Sequence, residues 1–453
     1  MMRISEADKQ KIIGDMCRMI QCRTVSNLDD SLVDWEEFEK FRALLRECFP
    51  IIYKNCEFRR IGKSGIMHKI SGTNGDSKHA AVLMAHYDVV PADGAGWSFD
   101  PFAGDVVDGM IRGRGAMDTK GTLCACLEAV ELSLKNGWKP VKDLYLCFSG
   151  EEEINGSSCS EIVDWFKNNG ITVDFVLDEG GAIVENAFPG VKKRCAMVGT
   201  AEKGSVYMDV IVRGKPGHAS APPVNSSVGL ASKAVCRIEK KACKAEYTES
   251  VKKLFKVMGP NNSIAALKFL FGNLWCTKPL INLASKILGG DLFALLHTTT
   301  AVTKFEGSPS YNVLPLEARV GINLRLLGSD SIEKAESRIL SHAKKAVGKN
   351  AEVRVEVTNG SNPSRESDTG CPEWKMLCDV IHETWPDILI SPYMMMACSD
   401  SRHYCRITDK VYRFSGMFMS REDRNMIHGI DERISCETLV KTVDFYLNLL
   451  ARI

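Results

Sequence analysis

Short apolar runs and apolar helical stripes alternate along the first two hundred residues. HAAVLMAHYDVV (79–90) is a continuous apolar run of strand length, typical of a strand covered on both faces. TLCACLEAVELSLKNG (122–137) places Leu123, Leu127, Val130 and Leu134 on one helical stripe and stops at Asn136-Gly137. DLYLCFSG (143–150) predicts the next buried strand, IVDWFKNNG (162–170) a helix and VDFVLDEG (173–180) another strand. Ahead of them, Ser5 and Asp8 form a capping-box pattern before a stripe of Ile12, Ile13, Met16 and Ile20, and a second helix is predicted over 35–48. The order predicts an α/β layer, a mainly parallel sheet flanked by helices.

From about residue 200 the texture changes. GSVYMDVIVRG (204–214) alternates apolar and polar positions, as a strand with one wet face does. A helix over 226–245, strands over 298–307 and 312–327, a helix over 331–347 and a strand over 351–360 follow. This β-α-β-β-α-β order predicts a small ferredoxin-like α+β lid domain over 200–359, inserted into a larger domain made of 1–199 and 360–453. An apolar segment, about 251–298, interrupts the lid between its first helix and its second strand. It is expected either to form extra helices packing on the lid or at a dimer contact, or to wall an apolar pocket. The chain closes with a helix in CETLVKTVDFYLNLLARI (436–453).

Composition narrows the class. The chain has 453 residues, 45% of them hydrophobic, which suits two globular domains. Lys plus Arg is 58 against 57 Asp plus Glu, so the net charge of +1 gives no electrostatic case for nucleic acid or an anionic membrane surface. The N-terminus lacks an apolar leader pattern, and the greasiest stretch, 264–297, is broken by Lys268, Asn273, Lys278, Lys286 and Asp291, so no spanning helix is predicted. The 17 cysteines include no C-x-x-C pair and suggest reduced thiols in a cytoplasmic protein.

Chemistry-bearing residues fall where open α/β sheets build their sites, at the carboxyl ends of the predicted parallel strands. His86 and Asp88 follow one strand, Glu151-Glu152-Glu153 the next, and Asp178 a third, while Asp118 lies at the mouth of a helix. Carboxylates with imidazole suit zinc, cobalt or manganese, and two such ions can share a bridging carboxylate. Taken singly, each has an ordinary explanation: a triple Glu is a common helix start and an Asp a common cap. GRG in RGRGAMD lacks the third glycine of a dinucleotide loop, and no G-x-S-x-G elbow occurs.

Seven pieces occur in order: AHYDVVP, GRGAMDTKG, GEEEING, VLDEGG, GKPGHASAPP, SYNVLP and IHGIDERI. Together they resemble the co-catalytic metallopeptidase family of aminoacylase, acetylornithine deacetylase, succinyl-diaminopimelate desuccinylase and glutamate carboxypeptidase. GSNPSRESDT and the insertion are most similar to its carboxypeptidase S and N-fatty-acyl-amino-acid hydrolase branch. The resemblance implies two divalent ions, most readily zinc, with His86 and Asp178 on one, Glu153 and His428 on the other, and Asp118 bridging. It implies Glu152 as general base, Asp88 orienting the His86 imidazole, and His218 stabilising the oxyanion. Asn312, Arg325 and Arg402 would bind the substrate, Arg402 in a loop where Ala397-Cys398-Ser399-Asp400 replaces the family's Gly-x-Thr-Asp.

The implied activity is hydrolysis of an amide bond beside a free carboxylate, in a peptide or dipeptide or, as the alternative, in an N-acyl amino acid. A homodimer through the lid is a further implication. A metal-binding scaffold that has lost catalysis is the competing class, but such a chain would be expected to lack a ligand or the base, and none is missing.

Overall fold

The computed structural model describes residues 3–92, 94, 96–241 and 243–453. Two sheets dominate. The larger has ten strands in the order Glu57–Ile61, Gly65–Ile70, Asp143–Ser149, His79–His86, Thr172–Asp178, Val411–Arg413, Cys195–Glu202, Ile183–Val184 and Phe418–Met419, with Leu389–Met395 also paired to Cys195–Glu202. Strand His79–His86 runs parallel to both its neighbours, and Val411–Arg413 extends the parallel set, whereas the Glu57–Ile70 edge is antiparallel.

The central strands are apolar throughout because both faces are covered. Ala81, Leu83 and Ala85 point into a core shared with helices Glu6–Ile20, Lys120–Lys135 and Cys436–Leu450. Ala80, Val82 and Met84 point the other way, onto Cys159, Ile162 and Phe166 of helix Ser158–Asn168 and onto Tyr404. That alternation aims His86, the strand's last residue, at a buried position between loops. The predicted capping box is present, with Ser5 and Asp8 each accepting the other's backbone N–H.

The second sheet is antiparallel, in the order Thr299–Glu306, Glu317–Leu326, Gly204–Arg213, Glu352–Ser361. Helices Ser227–Lys240 and Ile332–Val347 cover one face, over Val206, Met208, Val210, Ile322 and Leu324. Chain order and sheet order together make the ferredoxin-like arrangement. The single strand predicted over 312–327 is broken at Pro315, which has no N–H for a ladder. Val313–Leu314 pairs instead with Gly217–His218, and only Glu317–Leu326 joins the four-stranded sheet. The helix predicted over 226–245 ends at Lys240. Tertiary bonds overrule its propensity beyond that point: the Cys243 carbonyl meets His297 Nδ1 at 2.7 Å, and Glu246 donates its N–H to Leu296 O. Ala242 lies outside the described residues.

The apolar insertion folds as helices Glu249–Met258, Ala265–Gly272, Leu274–Leu288 and Gly290–Leu296. Its buried members, among them Val251, Phe255, Met258 and Phe271, pack with Val191, Cys195, Ala201 and Met394 on two strands of the larger sheet and the loop before them. No helix among the described residues is long and apolar enough to cross a membrane. All 17 cysteines are free thiols.

Candidate active site and metal centre

The carboxyl ends of three adjacent strands and two distant loops meet at one point. His86 ends the first strand, the Glu151–Glu153 run follows the second and Asp178 ends the third. Asp118 sits just before helix Lys120–Lys135, and His428 follows helix Arg421–Met426.

Asp118 is the hub. Its Oδ1 lies 3.0 Å from His86 Nε2 and its Oδ2 lies 3.0 Å from His428 Nε2. His428 Nε2 is also 3.1 Å from Glu153 Oε2. One ligand atom from each of His86, Asp118 and Glu153 falls within 4.8 Å of the others. Asp178 is not in that group: its Oδ2 accepts the Ser401 N–H at 3.1 Å.

Asp88, fully buried, faces the opposite side of the His86 ring. His86 Nδ1 is 3.0 Å from the Asp88 carbonyl and 3.4 Å from Oδ1. The same carboxylate accepts the backbone N–H groups of Glu152 and Glu153, each at 3.1 Å. It thereby orients the imidazole and fixes the loop of glutamates. The three glutamates then separate by direction. Glu151 turns away, accepting hydroxyl bonds from Ser64 and Ser158. Glu152 Oε2 comes within 4.0 Å of His86 Nε2, and Glu153 meets His428.

The electrostatics describe a cluster short of positive charge. Burial, reinforced by Asp400, Glu179 and Glu153, pushes the Glu152 carboxyl well above its ordinary range. Burial and Asp118 raise Glu153 as well. The two imidazoles overcome burial at Asp118 and hold it low, and in return Asp118 and Glu153 lift His428 to about 10. Glu153 Oε1 is buried without a hydrogen-bond partner among the described residues. Crowded carboxylates, two imidazoles and an orphaned oxygen are a donor set that fits divalent cations.

The residues implied in substrate and oxyanion binding divide into two groups. Arg325 reaches the larger domain, with Nη1 3.6 Å from Cys398 Sγ. Arg402, in the same loop, donates to the Ser399 carbonyl at 2.7 Å and to Asn155 Oδ1 at 3.0 Å. His218 and Asn312 instead sit together on the exposed ribbon, where Ala219 donates its N–H to Asn312 O and His218 Nδ1 meets the Ser220 hydroxyl. Neither makes a hydrogen bond to the carboxylate–imidazole cluster.

Four further groups bear on the site. Glu179 crowds Glu152 and Asp118. Glu432 braces the Asp118 loop, its Oε1 accepting the Met117 and Asp118 N–H groups at 2.8 and 3.2 Å. Glu202, paired with Arg413 in the interior, accepts the Ser399 N–H at 3.0 Å and the Ser399 hydroxyl at 2.9 Å. Lys203 donates to the carbonyls of Ala294 and His297, and burial with Arg325 nearby lowers its ammonium to about 8. Glu179 and Glu432 lie inside the motifs VLDEGG and IHGIDERI, a signal that could have marked them.

Peptidase family M20/M25/M40 matches residues 82–452. The chain belongs to this family. Within it, the chain is 34% identical over 420 residues to the probable carboxypeptidase S-like 2 of Dictyostelium discoideum, covering 91% of this chain and 79% of the relative. It is 29% identical over 452 residues to the N-fatty-acyl-amino acid synthase/hydrolase PM20D1 of Xenopus tropicalis, covering 99% and 86%. The fold is shared with the M20 family metallo-carboxypeptidase Sso-CP2 of Sulfolobus solfataricus, at a TM-score of 0.70 and 18% identity, covering 97% of this chain and 98% of that one. Membership in the M20/M25/M40 family makes this chain a metal-dependent amide hydrolase, as the seven motifs led us to expect.

Proposed function

We propose that the protein hydrolyses an amide bond next to a free carboxylate, using two divalent ions, most readily zinc. The observation that carries this reading is Asp118, whose two oxygens each face a different imidazole. His86 and Asp178 would hold one ion, Glu153 and His428 the other, and Asp118 would bridge. When bound, the ions supply Lewis acidity, making a water lose its proton near neutral pH and polarising the scissile carbonyl.

The chain's own groups do the rest. Glu152, whose carboxylate points at the cluster, takes the proton and delivers it to the leaving nitrogen. Asp88 keeps the His86 ring in one tautomer and orientation. Arg325 and Arg402, both near Cys398, would grip the substrate carboxylate. His218 and Asn312 would complete the oxyanion site when the exposed ribbon closes on the metals, or when a second copy of the chain in a homodimer lends its own ribbon. A cytoplasmic location belongs to the same reading.

On the acyl side of the bond, a peptide or dipeptide is the first reading. The likeness to an N-fatty-acyl-amino acid hydrolase over 99% of the chain favours an N-acyl amino acid as the second. The deciding experiment chelates the protein, reloads it with zinc, cobalt or manganese, and follows dipeptides and N-acyl amino acids by mass spectrometry beside carboxamide versions of each. Hydrolysis should vanish on chelation, return with metal, and require the free carboxylate. Full activity in metal-free protein, or equal cleavage of the carboxamides, would sink the reading.

A further inference from the structure

The helix Leu274–Leu288 is built inside out. Its buried residues are Thr277, Ile281 and Ser285, two of the three polar. Leu280, Leu283 and Ile287, spaced by three and four, face solvent with 58%, 57% and 72% of their surface exposed. Trp275 and Leu288, near the two ends of the helix, and Ile264 and Phe269 from the preceding segment are exposed as well. A helix whose only partner was its own domain would turn the leucines inward and the threonine and serine outward. So large an exposed apolar face marks an interaction surface.

Charge says what covers it. Between Glu249 and Asp291 the chain has no acidic residue and six lysines: 252, 253, 256, 268, 278 and 286. Lys252 pairs with Glu249, Lys253 donates to Thr369, and Lys278 lies over the Tyr247 ring. Lys256, Lys268 and Lys286 are exposed, with no ion pair among the described residues. Lys268 adjoins Phe269 and Lys286 adjoins Ile287 in sequence, so free ammonium groups edge the apolar face. The whole-chain charge of +1 hides this segregation.

We infer that this face docks on an anionic phospholipid surface, with the apolar side chains in the headgroup–acyl boundary and Lys268 and Lys286 on lipid phosphates. A second copy of the chain is the rival occupant. A two-fold contact would bring two such lysine-edged faces together, with no acid between Glu249 and Asp291 to answer them. An anionic bilayer answers both the apolar area and the charge. Docking goes beyond the proposed hydrolysis and does not depend on it.

The test is flotation of the metal-loaded 453-residue chain with vesicles of phosphatidylcholine, alone or mixed with phosphatidylserine, at low and high salt. The protein should float only with the phosphatidylserine vesicles, and less at high salt. The pairs Leu283→Asp/Ile287→Asp and Lys268→Glu/Lys286→Glu should each cut the bound fraction at least about tenfold. Their thermal midpoints should be unchanged, since all four side chains are exposed. No flotation with either vesicle overturns the proposal, as does equal flotation of wild type and both variants. Sedimentation velocity supplies the rival outcome: if the aspartate pair splits a dimer and leaves lipid binding unaltered, a second copy covers the face.

Discussion

Glu432 holds Asp118 by its backbone. The carboxylate takes the N–H groups of Gly115, Met117 and Asp118 and the guanidinium of Arg114, and is itself fully buried. The segment that supplies His428 therefore also sets the loop of the residue His428 faces. Glu432→Ala would leave three amides unanswered and a buried guanidinium without its counter-charge, at a cost of about 3–5 kcal/mol. Glu432→Gln keeps the shape but not the charge and should weaken divalent-ion binding by about 10–100-fold. Ion titration followed by calorimetry reads the second effect and thermal unfolding the first. Unchanged ion affinity in Glu432→Gln would show that the brace is structural only.

The directions of the neighbouring glutamates predict a split between proton transfer and ion holding. Glu152 reaches towards His86, and Glu153 meets His428 beside Asp118. Glu152→Gln should retain both ions and lose at least about 100-fold in kcat. Glu153→Gln should lose ions first, measured as bound metal per chain after dialysis. The reverse pattern would shift both roles by one residue along the run.

Much of this site could be seen in the sequence, for a physical reason. A strand covered on both faces must be apolar along its length, so the polar residue that ends the run marks the sheet's carboxyl edge. His86 and Asp178 were visible as such ends, and the triple Glu as the first polar residues past Ser149-Gly150. The brace from Glu432 to Asp118 and the pair of Glu202 with Arg413 were not visible. Each joins residues hundreds of positions apart, and no local periodicity records such a partner. The insertion shows the same limit from the other side. Its helices were anticipated, but an apolar residue reads alike whether it turns inward, as Phe255 does, or outward, as Leu283 does.

His218 predicts how the site is completed. It lies exposed on its ribbon, bonded to Ser220 and apart from Asp118 and His428, while Arg325 of the same lid already touches Cys398. If a second copy lends its ribbon, inactive His218→Ala and inactive Glu152→Gln chains should recover activity when mixed, because one site of the hybrid has every group. Theory allows up to about a quarter of the wild-type rate for random pairing of equal amounts. No recovery after verified subunit exchange would assign closure to the lid of the same chain.

A buried histidine far from the chemistry weakens the fold in acid. His68, on strand Gly65–Ile70, is wholly buried between Tyr53 and Phe58, and neither ring nitrogen has a hydrogen-bond partner among the described residues. Burial lowers its pKa to about 4, against an ordinary 6.5. The folded state thus binds the proton more weakly than the unfolded chain does. Its contribution to stability is complete above pH 6.5 and drains away as pH falls towards 4. At pH 5 the loss should be about 2 kcal/mol. His68→Leu removes the titrating group and fills the same apolar site, so its unfolding free energy should fall less between pH 7.5 and pH 5 than that of the wild type. Denaturant unfolding of both proteins at the two pH values measures the difference, and parallel declines would show that His68 is not the group that titrates.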